Sequence, residues 1–233
     1  MVTDIAPELL EKLRKSFSEK FNKNKNIDKI LAIIRDGKPT YSEVNNLSIE
    51  VGDILAEVFK ENLSADTLPD GRMYYNIAKR TVEPMMVNNY NIVTDNAAVV
   101  QELLNRQAGI GIKAQVPALN KSRIDGIINK LDEEEFFDNI KWILDEPVKN
   151  FTQSVVDDVI ESNVKFHEGL GLSPTITRII SGNCCDWCKE ISGKYKYPDV
   201  PNDVFRRHRF CRCTVEYDPG DNRKQDVWTK QWR

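Results

Sequence analysis

Apolar residues recur at helical spacing over most of the first 170 positions, and the pattern then changes. Between residues 5 and 23 they fall at Leu9, Leu10, Leu13, Phe17 and Phe21, one stripe at the 3.6-residue period. A short helical segment follows over 27–35 and stops at Asp36-Gly37. Residues 41–63 predict another helix, with Ile49, Val51, Ile54, Leu55, Val58 and Phe59 inward and Thr40 or Ser42 as its cap. Pro69-Asp70-Gly71 is a turn signal. From Arg72 a long helical pattern runs on, with an interruption or kink expected near Pro84 and a further helix over 96–105. Residues 108–118, with Gly109, Gly111 and Pro117, predict an extended segment or loop. The Gly-x-Gly there lacks the third glycine and the preceding strand of a dinucleotide loop. Helices are then expected over 120–131 and 133–144. A strongly periodic helix follows over 148–166 through Phe151, Val155, Val156, Val159, Ile160 and Val164, ended by Gly169-Leu170-Gly171.

Beyond Pro174 the period shortens to two. Residues 175–180, 193–197 and 213–217 alternate and are rich in β-branched or aromatic residues, so three strands are expected. The fold class this defines is a mainly α N-terminal body over 1–170, with a small α+β or β-rich C-terminal module over 171–218. A basic and aromatic tail, with Trp228 and Trp232, completes the chain over 219–233.

Composition narrows the function classes. The 233 residues are 40% apolar and 30% charged with a formal net charge of -3, so the chain as a whole is no basic nucleic-acid binder. No run of about twenty apolar residues is present, so no membrane partner is expected. The N-terminus lacks the features of a secretory signal, and a cytosolic site of synthesis is expected.

All five cysteines lie between 184 and 213. Clustering of this kind in a cytosolic chain points to a metal rather than a disulfide framework. Cys185 and Cys188 form a Cys-x2-Cys turn, and His208, Cys211 and Cys213 follow about twenty residues later, two half-sites with the spacing of a structural Zn2+ centre. The groups outnumber the four places. Cys184 adjoins Cys185 and is expected to point elsewhere. Cys211 and Cys213 share one side of an extended chain and both could bind, or His208 could take one place and one of the pair the other. A module this small has little core of its own, so metal would supply most of its folding free energy. Loss of Cys185 or Cys188 is expected to unfold the module and spare the helical body. A catalytic zinc would need an open position and a base; Glu190, Asp203 and Glu216 are nearby, but nothing singles one out, and no catalytic residue is assigned. His167 is expected as a cation near the C-terminus of its helix.

Residues 189–233 hold 11 Lys/Arg against 7 Asp/Glu, a basic end on an otherwise acidic chain. Arg206, Arg207, Arg209 and Arg212, interleaved with Phe205 and Phe210, could contact DNA phosphates or an acidic partner. Alternatively they pair with Asp199, Asp203, Glu216 and Asp218 inside the module.

The C-terminal pattern resembles a known family. Thr177-Arg178-Ile179, Cys185-x-Trp187-Cys188, Gly193-x-Tyr195-x-Tyr197, Asn202 to His208 and Cys211-x-Cys213 to Tyr217 are similar to the C-terminal module of phage minor head proteins, the Mu protein F-like head morphogenesis proteins. The resemblance covers roughly the last third of the chain, with a less specific likeness at 108–126. It implies a minor capsid protein present in a few copies and assembled with portal, major capsid or scaffold proteins; some members of the family contact packaged DNA or are ejected with it. The virion interior is the implied location, after a stage in the host cytoplasm. Some relatives carry a toxin domain after this module; here the chain stops soon after Tyr217, and none is expected. Two other classes stand beside this one: a zinc-dependent hydrolase or nuclease delivered with the genome, and a zinc-ribbon DNA-binding protein.

Overall fold

The computed structural model describes residues 4–182 and 184–220. The tail expected over 219–233 therefore lies, beyond Gly220, outside the described residues, as do Trp228 and Trp232. Helices α1 (Ala6–Lys23), α2 (Lys25–Asp36), α3 (Tyr41–Asn62), α4 (Tyr75–Gln107), α5 (Lys121–Glu133), α6 (Phe137–Ile140) and α7 (Glu146–Gly169) precede strand β1 (Thr175–Ile179). Helix α8 (Asp186–Glu190) and strands β2 (Gly193–Lys196) and β3 (Thr214–Asp218) follow. The protein is mainly helical, with one three-stranded antiparallel sheet near its C-terminus.

Local chemistry sets the helix starts. Asn24 caps α2 by accepting from the backbone N–H groups of Asn26 and Ile27. Thr40 caps α3 in a reciprocal capping box, its own N–H donating to Glu43 Oε2 at 2.7 Å. Helix α7 buries residues on nearly every side, including Phe151, Val155, Val159, Ile160 and Val164, and is the central element. Its closest neighbour is α3, where Gly52 makes the approach possible: a Cβ there would stand 3.2 Å from Lys149 Cα, against backbone that cannot yield. Asn89 of α4 ties both together, its amide donating to Thr152 Oγ1 at 3.0 Å and to the Val51 carbonyl at 3.3 Å.

Two helical expectations are corrected. Residues 75–107 form one helix that runs through Pro84, with no separate helix over 96–105. An interior proline costs about 3 kcal/mol. Buried residues lie on both sides of it, Thr81, Val82, Met85 and Met86 among them, and their packing holds the helix together. The helix expected over 133–144 is a single turn, α6, followed by a 3-10 turn over Lys141–Leu144. Phe137, Ile140, Ile143 and Leu144 are all buried there, so the apolar spacing is used without a regular helix. The loop expected over 108–118 is irregular and runs on to residue 120, and α7 holds it: Asn163 accepts from Gln115 N–H and donates to Gln115 C=O, both at 2.8 Å.

In the sheet β1 is central, flanked by β2 and β3, with Ile176 opposite Tyr195 and Tyr217. Gly193 opens β2 at φ 151°, and a Cβ there would stand 3.0 Å from the Tyr195 hydroxyl oxygen and 3.1 Å from ring carbon Cζ, which is the physical content of the Gly-x-Tyr spacing. Strand β3 lies against α3 and α7. Thr214 Oγ1 accepts from Asn45 Nδ2 at 3.1 Å, Glu216 accepts from Thr40 Oγ1 at 3.0 Å, and the Tyr41 and Tyr217 rings meet edge to face at 6.3 Å. One apolar core runs through the helices and on into Ile176, Val204, Val215 and Tyr217. The change from helix to strand near residue 170 thus occurs with no break in the core.

Candidate metal centre

The sequence Cys185-Asp186-Trp187-Cys188 folds as the first turn of α8, with Cys185 at its N-cap and Cys188 inside it. The residues 208–211 form a second turn, closed by Cys211 N–H donating to the His208 carbonyl at 3.1 Å. Phe210 adopts φ 63° at its apex, a left-handed conformation rare for a bulky residue, with its ring 62% exposed. Helix α7 anchors this turn: Asn150 Nδ2 donates to the His208 carbonyl at 2.6 Å.

The two turns face each other, and His208 is the link. Its Nδ1 lies 2.6 Å from the Arg209 carbonyl, which makes Nδ1 the donor and leaves Nε2 with a free lone pair. That Nε2 stands 3.2 Å from Cys185 Sγ and 3.0 Å from Cys188 Sγ. Cys188 Sγ is 3.9 Å from Cys211 Sγ. Two groups result, Cys185–Cys188–His208 and Cys188–Cys211–Cys213, each with its donor atoms within 4.8 Å of one another, and they share Cys188. The five predicted ligands fall into these two adjoining groups, each close enough to hold a metal ion. Cys184 packs beside the cluster but joins neither group.

Two of the thiols, Cys188 and Cys211, are shifted away from nucleophile chemistry, whereas the hydrogen bond with Cys211 lowers Cys213. Without a cation, burial pushes Cys188 up to about 11. The hydrogen bond with Cys213, and then burial, push Cys211 up to about 12. A nucleophilic cysteine needs the opposite shift, whereas a bound cation deprotonates its thiols outright.

Of the four arginines read as a contact patch, two are internal. Arg207 has a side chain 1% exposed and makes a bidentate pair with Asp157 of α7, itself fully buried. Arg212 is half-buried and pairs with Glu146 of α7 at 3.1 Å. Neither is free to reach a phosphate, and their carboxylates come from the helical body rather than from the module. Arg206 is exposed and pairs with Asp203 at 3.0 Å, the one pairing of this kind inside the module among the described residues. Arg209 is exposed, its guanidinium 4.8 Å from the Phe210 ring centre and 5.9 Å from that of Trp142.

His167 is also corrected. It is fully buried, its Nδ1 hydrogen-bonded to the Tyr217 hydroxyl, and burial holds its pKa below the ordinary value. It is a neutral core residue, not a helix-end cation.

Sequence reading missed Arg178. It is 2% exposed on β1 and donates to the carbonyls of Val204 and, at 2.9 Å, Arg206. It also points a nitrogen at Cys211 Sγ, 3.6 Å away, and lies 5.7 Å from the Trp187 ring centre. The signal was available: in an alternating strand Arg178 shares the inward face of Ile176. A charge at an inward position calls for a partner.

Beside the cluster lies a polar cleft of about 490 Å³, lined by Arg123, Asp158, Asp203, Arg206 and His208 among others. Asp158 is raised to about 6 by burial and then by its neighbour Asp157. No described helix is long and apolar enough to cross a membrane. The fold and site define a class, a helical protein with a C-terminal sheet built around a Cys/His cluster. Comparison with family models, with curated proteins and with solved structures finds no match to the chain.

Proposed function

We propose that the cluster is a structural zinc centre and that the chain is a minor head protein of a tailed phage or prophage. In this reading it has an assembly role near the portal. The observation that carries the zinc assignment is the geometry around Cys188. A tetrahedral ion with Zn–S near 2.3 Å and Zn–N near 2.0 Å sets its ligands about 3.8 Å apart for S–S and about 3.5 Å for S–N. Cys188 stands 3.9 Å from Cys211 and 3.0 Å from His208, the two half-sites already drawn to coordination spacing. Soft thiolates with one imidazole select zinc among common divalent ions.

The head-protein reading rests on the residues that carry the family resemblance. Cys185, Trp187, Cys188, His208, Cys211 and Cys213 meet in one place, and Gly193 and Tyr195 shape the strand beside them. The same module is what a head protein would need to fix its C-terminal end. Exposed Arg206 and Arg209 are the residues left for packaged DNA or an acidic partner.

The alternative of a zinc hydrolase or nuclease draws on the cleft that holds Asp158 and His208. It needs an open coordination position, and five donors for four places work against one.

Elemental mass spectrometry of the purified full chain, with nuclease and esterase assays on the same sample, tests the site. One zinc per chain without hydrolysis is expected; no metal, or zinc-dependent turnover, overturns it. Quantitative peptide mass spectrometry of purified particles tests the role. A few copies per particle are expected, and absence from particles while the chain is abundant in the lysate refutes it.

A further inference from the structure

We infer that Arg178 is the buried counter-charge of the metal centre, and that it selects the ligand set: Cys185, Cys188, His208 and Cys211, with Cys213 outside it. This rests on the zinc reading above. The four-ligand problem reduces to one place. His208 presents Nε2 to both Cys185 and Cys188 at 3.2 Å and 3.0 Å, so these three enter the centre together. Cys211 or Cys213 takes the fourth position.

Charge sets how many thiolates bind, and the Arg178 contact sets which. A guanidinium keeps its charge, and a buried charge is costly without a counter-charge. Among the described residues no carboxylate lies within salt-bridge distance of Arg178, while Asp157 is engaged by Arg207 through both oxygens. Arg178 is therefore one positive charge in excess at the edge of the cluster, with no ion pair of its own. Two thiolates and two neutral ligands on Zn2+ would give a neutral centre and leave that excess standing. Four thiolates would overshoot it by one negative charge. Three thiolates with His208 give a net charge of minus one, which balances it. Arg178 Nη2, which donates to the Arg206 carbonyl at 2.9 Å, also faces Cys211 Sγ 3.6 Å away. Among the described residues Cys213 Sγ has no such arginine contact; it is the Cys213 carbonyl that accepts from an arginine, Arg207 Nη1 at 2.9 Å. Arg178 is thus a positioning residue: it favours the thiolate of Cys211 and fixes the loop that carries it through the Val204 and Arg206 carbonyls.

The experiment uses the full chain loaded with cobalt(II) in place of zinc, whose thiolate-to-metal absorption grows with each bound cysteine. Cys213→Ser is expected to keep one metal per chain and the full absorption. Cys211→Ser is expected to lose about a third of it, one thiolate of three. Arg178→Met is expected to weaken zinc about 10–100-fold in chelator competition, the range for residues that support metal ligands, with Arg178→Lys recovering part of the loss. Equal losses in Cys211→Ser and Cys213→Ser, or wild-type zinc affinity in Arg178→Met, overturn the inference while leaving the zinc centre intact. A wild-type chain that binds neither metal removes the zinc reading itself. Should Arg178→Met fail to fold, the two cysteine variants still decide the ligand set.

Discussion

Replacing Arg207 by methionine is expected to cost about 3–5 kcal/mol, the range for removing one partner of a buried ion pair. The structure says why the cost falls there. Arg207 has five N–H donors, and all five are used. Nε and Nη2 hold the two oxygens of Asp157; Nη1 donates to Gln153 Oε1 at 3.0 Å and to the Cys213 carbonyl at 2.9 Å; Nη2 also reaches Asn45 Oδ1 at 3.0 Å. Methionine fills the space of the stem but strands the fully buried Asp157 carboxylate and three further acceptors. Against a domain stability of about 5–15 kcal/mol, such a loss is large. Urea unfolding at pH 7.5, followed by tryptophan fluorescence, measures it. The control is the double variant Arg207→Met with Asp157→Leu. Replacing both charges with apolar groups removes the stranded carboxylate, so the double variant is expected to be more stable than Arg207→Met alone. A single variant within about 1 kcal/mol of wild type, or a double variant whose loss is the sum of the two single losses, would refute the reasoning.

Three further outcomes follow from other parts of the structure. Asp158 titrates near 6 in the fold against an ordinary 3.8, so its ionised form is disfavoured by folding. Above pH 6 Asp158→Asn is expected to be about 1–3 kcal/mol more stable than wild type. That advantage should fade as pH falls through 6 towards 4, where wild-type Asp158 is protonated in the fold; a difference constant from pH 8 to 4 would contradict the assignment. Phe210→Gly relieves a left-handed backbone and is expected to be neutral or up to about 1 kcal/mol stabilising in the same urea assay, since the ring is largely exposed. A loss above about 1 kcal/mol would mean that the Phe210 ring and Arg209 hold the turn. Finally, a chelator or Cys188→Ser is expected to lower the midpoint of one unfolding transition, because Val204, Val215 and Tyr217 share the helical core. Two well-separated thermal transitions would show instead a module that melts alone.

Much of the helical body was legible because apolar spacing and capping chemistry are local. Thr40 with Glu43, Asn24 and the alternation at 175–179 each announce an element within a few residues. Pro84 misled for the opposite reason: whether a proline ends a helix depends on what packs around it, and α1, α3, α5 and α7 all lie against α4. The segment at 133–144 misled because a helical spacing of apolar residues can also be met by a turn and a 3-10 stretch over a core. The cluster was legible by residue type, since two half-sites at zinc spacing suffice to suggest it. The choice among His208, Cys211 and Cys213 was not, because spacing along the chain does not say which donors face one another across the fold.

The arginine run shows most clearly how linear charge patterns lose their meaning in three dimensions. In sequence, Arg206, Arg207, Arg209 and Arg212 look alike, four cations among aromatics in seven residues. In space they alternate in role. Arg207 and Arg212 turn inward onto Asp157 and Glu146 of α7; Arg206 and Arg209 turn outward. The inward pair, together with Asn150 on the His208 carbonyl, clamps the ligand-bearing segment onto the central helix from both sides of His208. A metal at this cluster would therefore close a structure that α7 already holds in register. Its binding free energy would stabilise the contact between sheet and helices as much as the sheet itself. The outward residues are where recognition of DNA or a partner must be sought. Substituting Arg206 and Arg209 should weaken such binding without disturbing the metal, whereas substituting Arg207 would be read first as loss of stability.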